Sequence, residues 1–215
     1  MTEILAFDGM PELLRRAVAL IAAPALRNRA TLGGNICNAS PAADSLPPLY
    51  VHEAEAVAKS GSGERRLRIA EFLTGPGKTA LAPEEILCGV RVPLLPKAGR
   101  LYYRKVGTRR ANALSKLSAA GFARLEAGRV AEFRFALGAV APTVIRLPEA
   151  EAAAMGCAPA EIDVTKILDL ARPHIQPIDD QRSTADYRRQ VALNSLAEFL
   201  EQLSAHQLTD GSEET

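Results

Sequence analysis

Tryptophan is absent from the 215 residues, and aromatic residues make up only 5% of the chain. That scarcity argues against a stacking platform for single-stranded nucleic acid. An excess of charge of one sign is also missing. Twenty-six Lys and Arg stand against 25 Asp and Glu, a formal net charge of +1, so nothing global points to a polyanionic partner. The three cysteines, Cys37, Cys88 and Cys157, lie far apart and form no CxxC. An iron–sulfur cluster held by this chain alone would need more thiolates. His52, His174 and His206 are equally scattered and carry no zinc spacing. No apolar run is long enough to span a bilayer, and no basic stretch followed by an apolar run opens the chain. The expectation is a cytoplasmic protein with no membrane and no nucleic-acid partner.

What is present is an ordinary globular composition, 47% hydrophobic and 24% charged, long enough for one large domain or two small ones. Pro11 to Ala22 reads as an amphipathic helix with Leu13, Leu14, Ala17, Val18 and Ile21 on one face. Pro47 and Pro48 suit the first turn of a short helix running to Val51. Ala54 to Lys59 and Glu64 to Ile69 flank Gly61-Ser62-Gly63, a hairpin signal. Gly75-Pro76-Gly77 must be loop, and Ile86 to Val92 alternates like a strand. Leu94 to Gly99 is punctuated by proline and glycine and is the expected domain boundary. Beyond it, Leu101 to Val106 reads as a strand. Leu117 to Leu125 carries small or apolar residues at every second position. Ala127-Gly128-Arg129 is a turn, and Val130 to Val140 returns as a strand. Helices are expected over 149–155, 160–170 and 184–202, with a polar tail from about 206. The fold class is α+β.

The chemistry concentrates in Arg29-Ala30-Thr31-Leu32-Gly33-Gly34-Asn35-Ile36-Cys37-Asn38-Ala39-Ser40-Pro41-Ala42-Ala43-Asp44. Adjacent glycines let backbone N–H groups approach a bulky anion with no Cβ in the way, and a concave run of such groups favours phosphate or pyrophosphate. Asp44 can accept from the hydroxyls of a sugar or ribityl chain. On composition alone such a segment is more often simply a turn. Gly75-Pro76-Gly77-Lys78-Thr79 ends like a P-loop, but the position of that motif's first glycine holds Phe72. No G-x-S-x-G elbow exists, so a hydrolase reading has no support.

The run from Arg27 to Asp44 closely resembles the second flavin-contacting motif of molybdopterin dehydrogenase FAD-binding (medium) subunits, the flavoproteins of xanthine and carbon monoxide dehydrogenases. Similar blocks follow in the same order: Phe72 to Thr79, Leu81 to Leu87, Tyr103 to Arg110, Ala136 to Thr143, and Pro177 to Ser183. The resemblance covers about Ile21 to Leu200. It implies the second half of a two-part FAD-binding domain of the PCMH type over 1–95, then a C-terminal domain of antiparallel sheet plus helical bundle over 100–205. It implies that Gly33, Gly34 and Asn35 hold the FAD pyrophosphate, that Thr31 and Asn38 add hydrogen bonds, and that Asp44 bonds the hydroxyl-bearing chain. Ile86 and Leu87 correspond to apolar residues near the adenine or flavin, and Lys105 to a lysine beside the isoalloxazine, where a cation favours reduced flavin. On periodicity alone Ile86 and Leu87 are core residues, Lys105 is a solvated strand residue, Arg109 and Arg110 are solvated or partner-facing, and Cys37 is a small packing residue.

The implied activity is that of an oxidoreductase subunit in a hetero-oligomer. Electrons would pass from the 2Fe-2S clusters of a small subunit through FAD to NAD or another acceptor, with molybdopterin on a large subunit. Family members carry a further glycine-rich flavin subdomain before this region, and Met1 to Ala22 is too short to hold it. A separate chain could supply that part, the sequence could be a fragment, or flavin binding could have been lost. The last case would leave a non-catalytic assembly module.

Overall fold

The structure, a computed structural model, describes residues 1–109 and 112–210, with side chains to residue 205. Arg110, expected with Arg109 to be solvated or partner-facing, lies outside the described residues. The first half opens with four helices: α1 (Thr2–Ala6), α2 (Glu12–Ala19), α3 (Pro24–Arg29) and α4 (Leu32–Cys37). Helix α2 is the expected amphipathic one, with Pro11 as its N-cap residue and Leu13, Leu14, Ala17 and Val18 buried. Helix α5 (Leu46–Val51) is wholly buried, with prolines in its first turn where no amide donor is needed. Strands β1 (Glu55–Ser60) and β2 (Gly63–Arg68) form the expected hairpin, with Ser60 opposite Gly63. Helix α6 (Ile69–Phe72) leads into β3 (Leu73–Gly75). A turn at Pro76-Gly77 then leads to β4 (Lys78–Thr79), so the glycine-proline loop is the tip of a second ribbon. Strand β5 (Ile86–Arg91) pairs antiparallel with β1, giving a sheet of order β2-β1-β5 in which β5 is an edge.

The second half is a four-stranded antiparallel meander: β6 (Arg100–Val106), β7 (Leu117–Glu126), β8 (Arg129–Gly138) and β9 (Ile145–Arg146). The turn between β7 and β8 is Ala127-Gly128, both at positive φ, 49° and 75°, the backbone that a two-residue hairpin with right-handed strand twist demands. Helices α7 (Pro148–Ala154), α8 (Val164–Ala171) and α9 (Ala185–Asp210) follow. Three expectations are corrected here. The helix expected over 160–170 is interrupted, because Asp163 accepts from Lys166 N at 3.0 Å and starts α8 afresh after a 3₁₀ turn at Pro159–Glu161. The last helix continues to Asp210, so the polar stretch from 206 begins inside it. And β7 does not alternate between core and solvent: its first seven residues are all buried.

The reason for the last point is a sheet shared by two cores. Ala119, Ala123, Phe133, Phe135 and Leu137 face the helices α7–α9 and pack with Tyr102, Leu196, Phe199 and Leu200. Ala120, Phe122 and Ala136 face the other way, into the core formed by Leu13, Leu14, Ile36, Leu46, Leu49 and Phe72. Phe199 stacks near Phe133 at 5.4 Å and Tyr102 at 5.3 Å between ring centroids. It lies so close to β7 that a Cβ on Gly121 would come within 2.7 Å of its ring. The two halves are therefore joined by a buried sheet face as well as by the 92–99 connection. No described helix is long and apolar enough to cross a membrane.

Candidate functional site

The segment expected to be a glycine turn is a helix. Thr31 caps α4: its Oγ1 accepts from Gly34 N at 2.9 Å, and its carbonyl accepts from Asn35 N at 3.1 Å. Two glycines in six helical residues cost roughly 1 kcal/mol each relative to alanine. The cap and the burial of Ile36 offset that cost. Leu32 and Gly33, at the first two positions, are the amides that helix geometry leaves without an intrahelical acceptor. A further consequence follows from the helical repeat of 3.6 residues per turn. Asn35 and Asn38 share one side of α4, while Gly33 lies on nearly the opposite side.

The two sides border different cavities. Asn35 and Asn38 line a groove of about 320 Å³ together with Asp44, Lys105, Ser115 and residues Asn112–Leu114. Gly33 lines a smaller one of about 230 Å³ with Leu87 and Cys88 on edge strand β5. A Cβ at Gly33 would meet only Leu87 Cδ2, at 3.8 Å, so this side of the helix is open; at Gly34 it would collide with Thr31 Oγ1 at 2.9 Å. Leu87 is half-buried against the first core. Ile86 points outward at 66% exposure, which corrects its reading as core: β5 is an edge strand with one unpaired side and only alternate residues turned inward. Cys37 is exposed rather than packed.

At the base of the larger groove, Lys105 is not solvated. Its Nζ donates to Asp44 Oδ2 at 2.7 Å and to Leu20 O at 2.8 Å, and the two charged side chains are 9% and 8% exposed. Ser115 Oγ donates to the other carboxylate oxygen, Oδ1. Tyr103 donates from its hydroxyl to the Asp44 main-chain oxygen at 3.3 Å. Burial, and then the Asp44 charge, hold the Tyr103 phenol well above the ordinary tyrosine range, so it remains a donor. Asn35 is anchored by Ser45, whose hydroxyl donates to Asn35 Oδ1 at 2.6 Å, which turns the amide NH₂ outward from that bond. Leu26 and Leu114, both exposed, line the groove.

Of the residues singled out from the sequence, the fold brings Asn35, Asn38, Asp44 and Lys105 into one groove. It places Gly33 and Leu87 at a second cavity, puts Thr31 at the start of α4, where it lines neither, and leaves Ile86 at the exposed edge. Ser115, Tyr103 and Ser45 were not legible as site residues, because each acts on a residue far away in sequence or hidden beneath the motif. A base of fixed charge, amide and hydroxyl donors under a leucine rim suits an extended ligand with a hydroxylated chain and a flat apolar ring. The donor set fits a flavin dinucleotide. Asp44 has lone pairs left for hydroxyls, Asn35 and Asn38 offer amides, and the open side of Gly33 lets a phosphate approach the α4 amides.

Residues 2–95 match the family described as the FAD binding domain in molybdopterin dehydrogenase, and residues 102–203 match the CO dehydrogenase flavoprotein C-terminal domain. The chain is 36% identical over 175 residues to the xanthine dehydrogenase FAD-binding subunit of Escherichia coli O157:H7, covering 80% of this chain and 59% of that protein. It is 31% identical over 180 residues to the carbon monoxide dehydrogenase medium chain of Hydrogenophaga pseudoflava, covering 84% and 62%. The chain thus spans 59 to 62% of the length of these curated relatives. Among solved structures, carbon monoxide dehydrogenase from Hydrogenophaga pseudoflava lacking the Mo-pyranopterin moiety superposes with a TM-score of 0.86 at 30% identity, covering 91% of this chain and 69% of that one. Reconstituted CO dehydrogenase from Oligotropha carboxidovorans gives 0.88 at 25% identity, covering 95% and 72%.

Proposed function

The chain belongs to the FAD-binding medium-subunit family of molybdopterin dehydrogenases, and from that membership we propose that it is the FAD-binding electron-transfer subunit of a molybdenum hydroxylase complex. Its partners would be a molybdopterin-binding large subunit and a 2Fe-2S small subunit, and the final acceptor NAD or another oxidant. The bound FAD would supply the redox chemistry, taking electrons from the clusters and yielding them to that acceptor. The residues of this chain bind and orient. The Leu32 and Gly33 amides at the start of α4 would meet the pyrophosphate. Asn35 and Asn38 would donate from their amides. Asp44 would accept from the hydroxyl-bearing chain, and Lys105 would hold positive charge beside the ring, where it favours the reduced, more negative state. Leu87 and the leucine rim would cover apolar surface and exclude water. The domain division would fall at the 95–100 connection.

The observation that carries this reading is the convergence of Asn35, Asn38, Asp44 and Lys105 on one groove with family-type residues throughout. One observation favours a second reading, a non-catalytic assembly module: the Asp44 carboxylate is satisfied by Lys105 and Ser115 without any ligand. The visible spectrum of the chain, alone and in complex with its partner subunits, separates the two. Flavin absorption that weakens in Asn35→Ala supports the electron-transfer subunit. A colourless complex that assembles with undiminished affinity in Asn35→Ala refutes it in favour of the module.

A further inference from the structure

Ser115 has no cofactor-binding role in the reading above, yet it is 1% exposed and its hydroxyl donates to Asp44 Oδ1 across 71 positions of sequence. It stands immediately before Lys116 and β7, next to residues Asn112–Leu114, which line the groove. Lys105 takes the other oxygen, Oδ2, at 2.7 Å. A lysine on its flexible four-carbon stem supplies charge but little control over direction. A second donor on the other oxygen fixes the plane of the carboxylate. Each oxygen still has a lone pair available, and with the plane fixed those lone pairs have a defined direction. The main chain beneath is tied by the Tyr103 hydroxyl, which donates to Asp44 O at 3.3 Å.

We propose that Ser115 is a positioning residue for cofactor binding, setting through Asp44 the direction in which the carboxylate accepts from the hydroxyls of the FAD chain. This rests on the FAD reading above. The competing role is purely structural, with Ser115 merely tying its loop to the first half. The two differ in what happens when Asp44 can no longer be the mediator.

The experiment uses the complex with its partner subunits, stripped of flavin by dialysis and titrated with FAD by quenching of flavin fluorescence. Ser115→Ala weakens FAD binding roughly ten-fold, the loss of one hydrogen bond to a charged group, and Ser115→Thr, which keeps the hydroxyl, restores it. In an Asp44→Ala background, which leaves no side-chain oxygen for the hydroxyl to orient, Ser115→Ala adds less than about two-fold. Should Ser115→Ala fail to assemble, Ser115→Cys, of similar size and a weak donor, takes its place. Equal FAD affinity in parent and Ser115→Ala overturns the proposal, as does the same ten-fold loss in both backgrounds. A parent complex that takes up no FAD overturns the cofactor reading itself and is distinguishable from both.

Discussion

Replacing Lys105 by methionine removes a cation from a site where both charged partners are less than a tenth exposed. Two bonds are lost, to Asp44 Oδ2 at 2.7 Å and to Leu20 O at 2.8 Å. The carboxylate is left with the Ser115 hydroxyl alone. An exposed ion pair would cost about 0.2–1 kcal/mol to break. Breaking a buried one costs about 3–5 kcal/mol, because the remaining charge is uncompensated. The groove side of Asp44 admits solvent, so the lower end, about 3 kcal/mol, is expected. For a chain of this length that corresponds to a fall in melting temperature of roughly 6–12 °C. Asp44→Asn should cost a similar amount by orphaning the lysine. The double variant Asp44→Asn, Lys105→Met should be no worse than either single one, a coupling of about 3 kcal/mol. Calorimetry or urea unfolding of the parent and three variants measures all four corners. Single variants within about 2 °C of the parent, or a double variant equal to the sum of the singles, would refute the argument that this pair is buried and mutually dependent.

Three further outcomes are expected. Gly33→Ala leaves the fold unharmed or slightly more stable, since its Cβ meets only Leu87 at 3.8 Å and alanine favours helix by about 1 kcal/mol; it should nevertheless reduce flavin retention, whereas Gly34→Ala, colliding with Thr31 Oγ1 at 2.9 Å, should lower both stability and retention, as read by unfolding midpoint and flavin content. Gly121→Ala drives a methyl to 2.7 Å from the Phe199 ring and should destabilise by about 1–3 kcal/mol of overpacking in urea unfolding; an unchanged midpoint would show that the second core yields. His52 is buried and shares a hydrogen bond of 2.8 Å with the Pro93 carbonyl. Burial first, and the Arg134 charge as well, lower its pKa against the opposing effect of that bond. The unfolded chain therefore takes up the proton first as pH falls. The stability His52 contributes is present above the ordinary histidine value of about 6.5 and is lost below it, down to the depressed folded value. The urea midpoint should fall more between pH 7.5 and 5.5 in the parent than in His52→Gln, and equal falls would rule His52 out as the titrating group.

Local signals carried much of the architecture. The amphipathic repeat from Pro11, the Gly61–Gly63 hairpin, the Ala127-Gly128 turn and the proline-led helix before Val51 are each decided within a few residues by backbone sterics and periodicity, and each is observed. Where a local signal met competition, it misled. Gly33-Gly34-Asn35 looks like a turn, but the Thr31 cap and the burial of Ile36 make it helix. Periodicity would bury Ile86, but its strand ends up at a sheet edge.

By itself the sequence pointed to the family and to most of the elements, because these are properties of short segments and of their order. Only the tertiary structure decided that Asp44 is held by a lysine 61 residues away and a serine 71 residues away, and that α4 divides its motif between two cavities. Such contacts form only when β6, β7 and the first core close on one sheet. No repeat or spacing along a chain encodes which distant donor will reach a buried carboxylate once that sheet has packed.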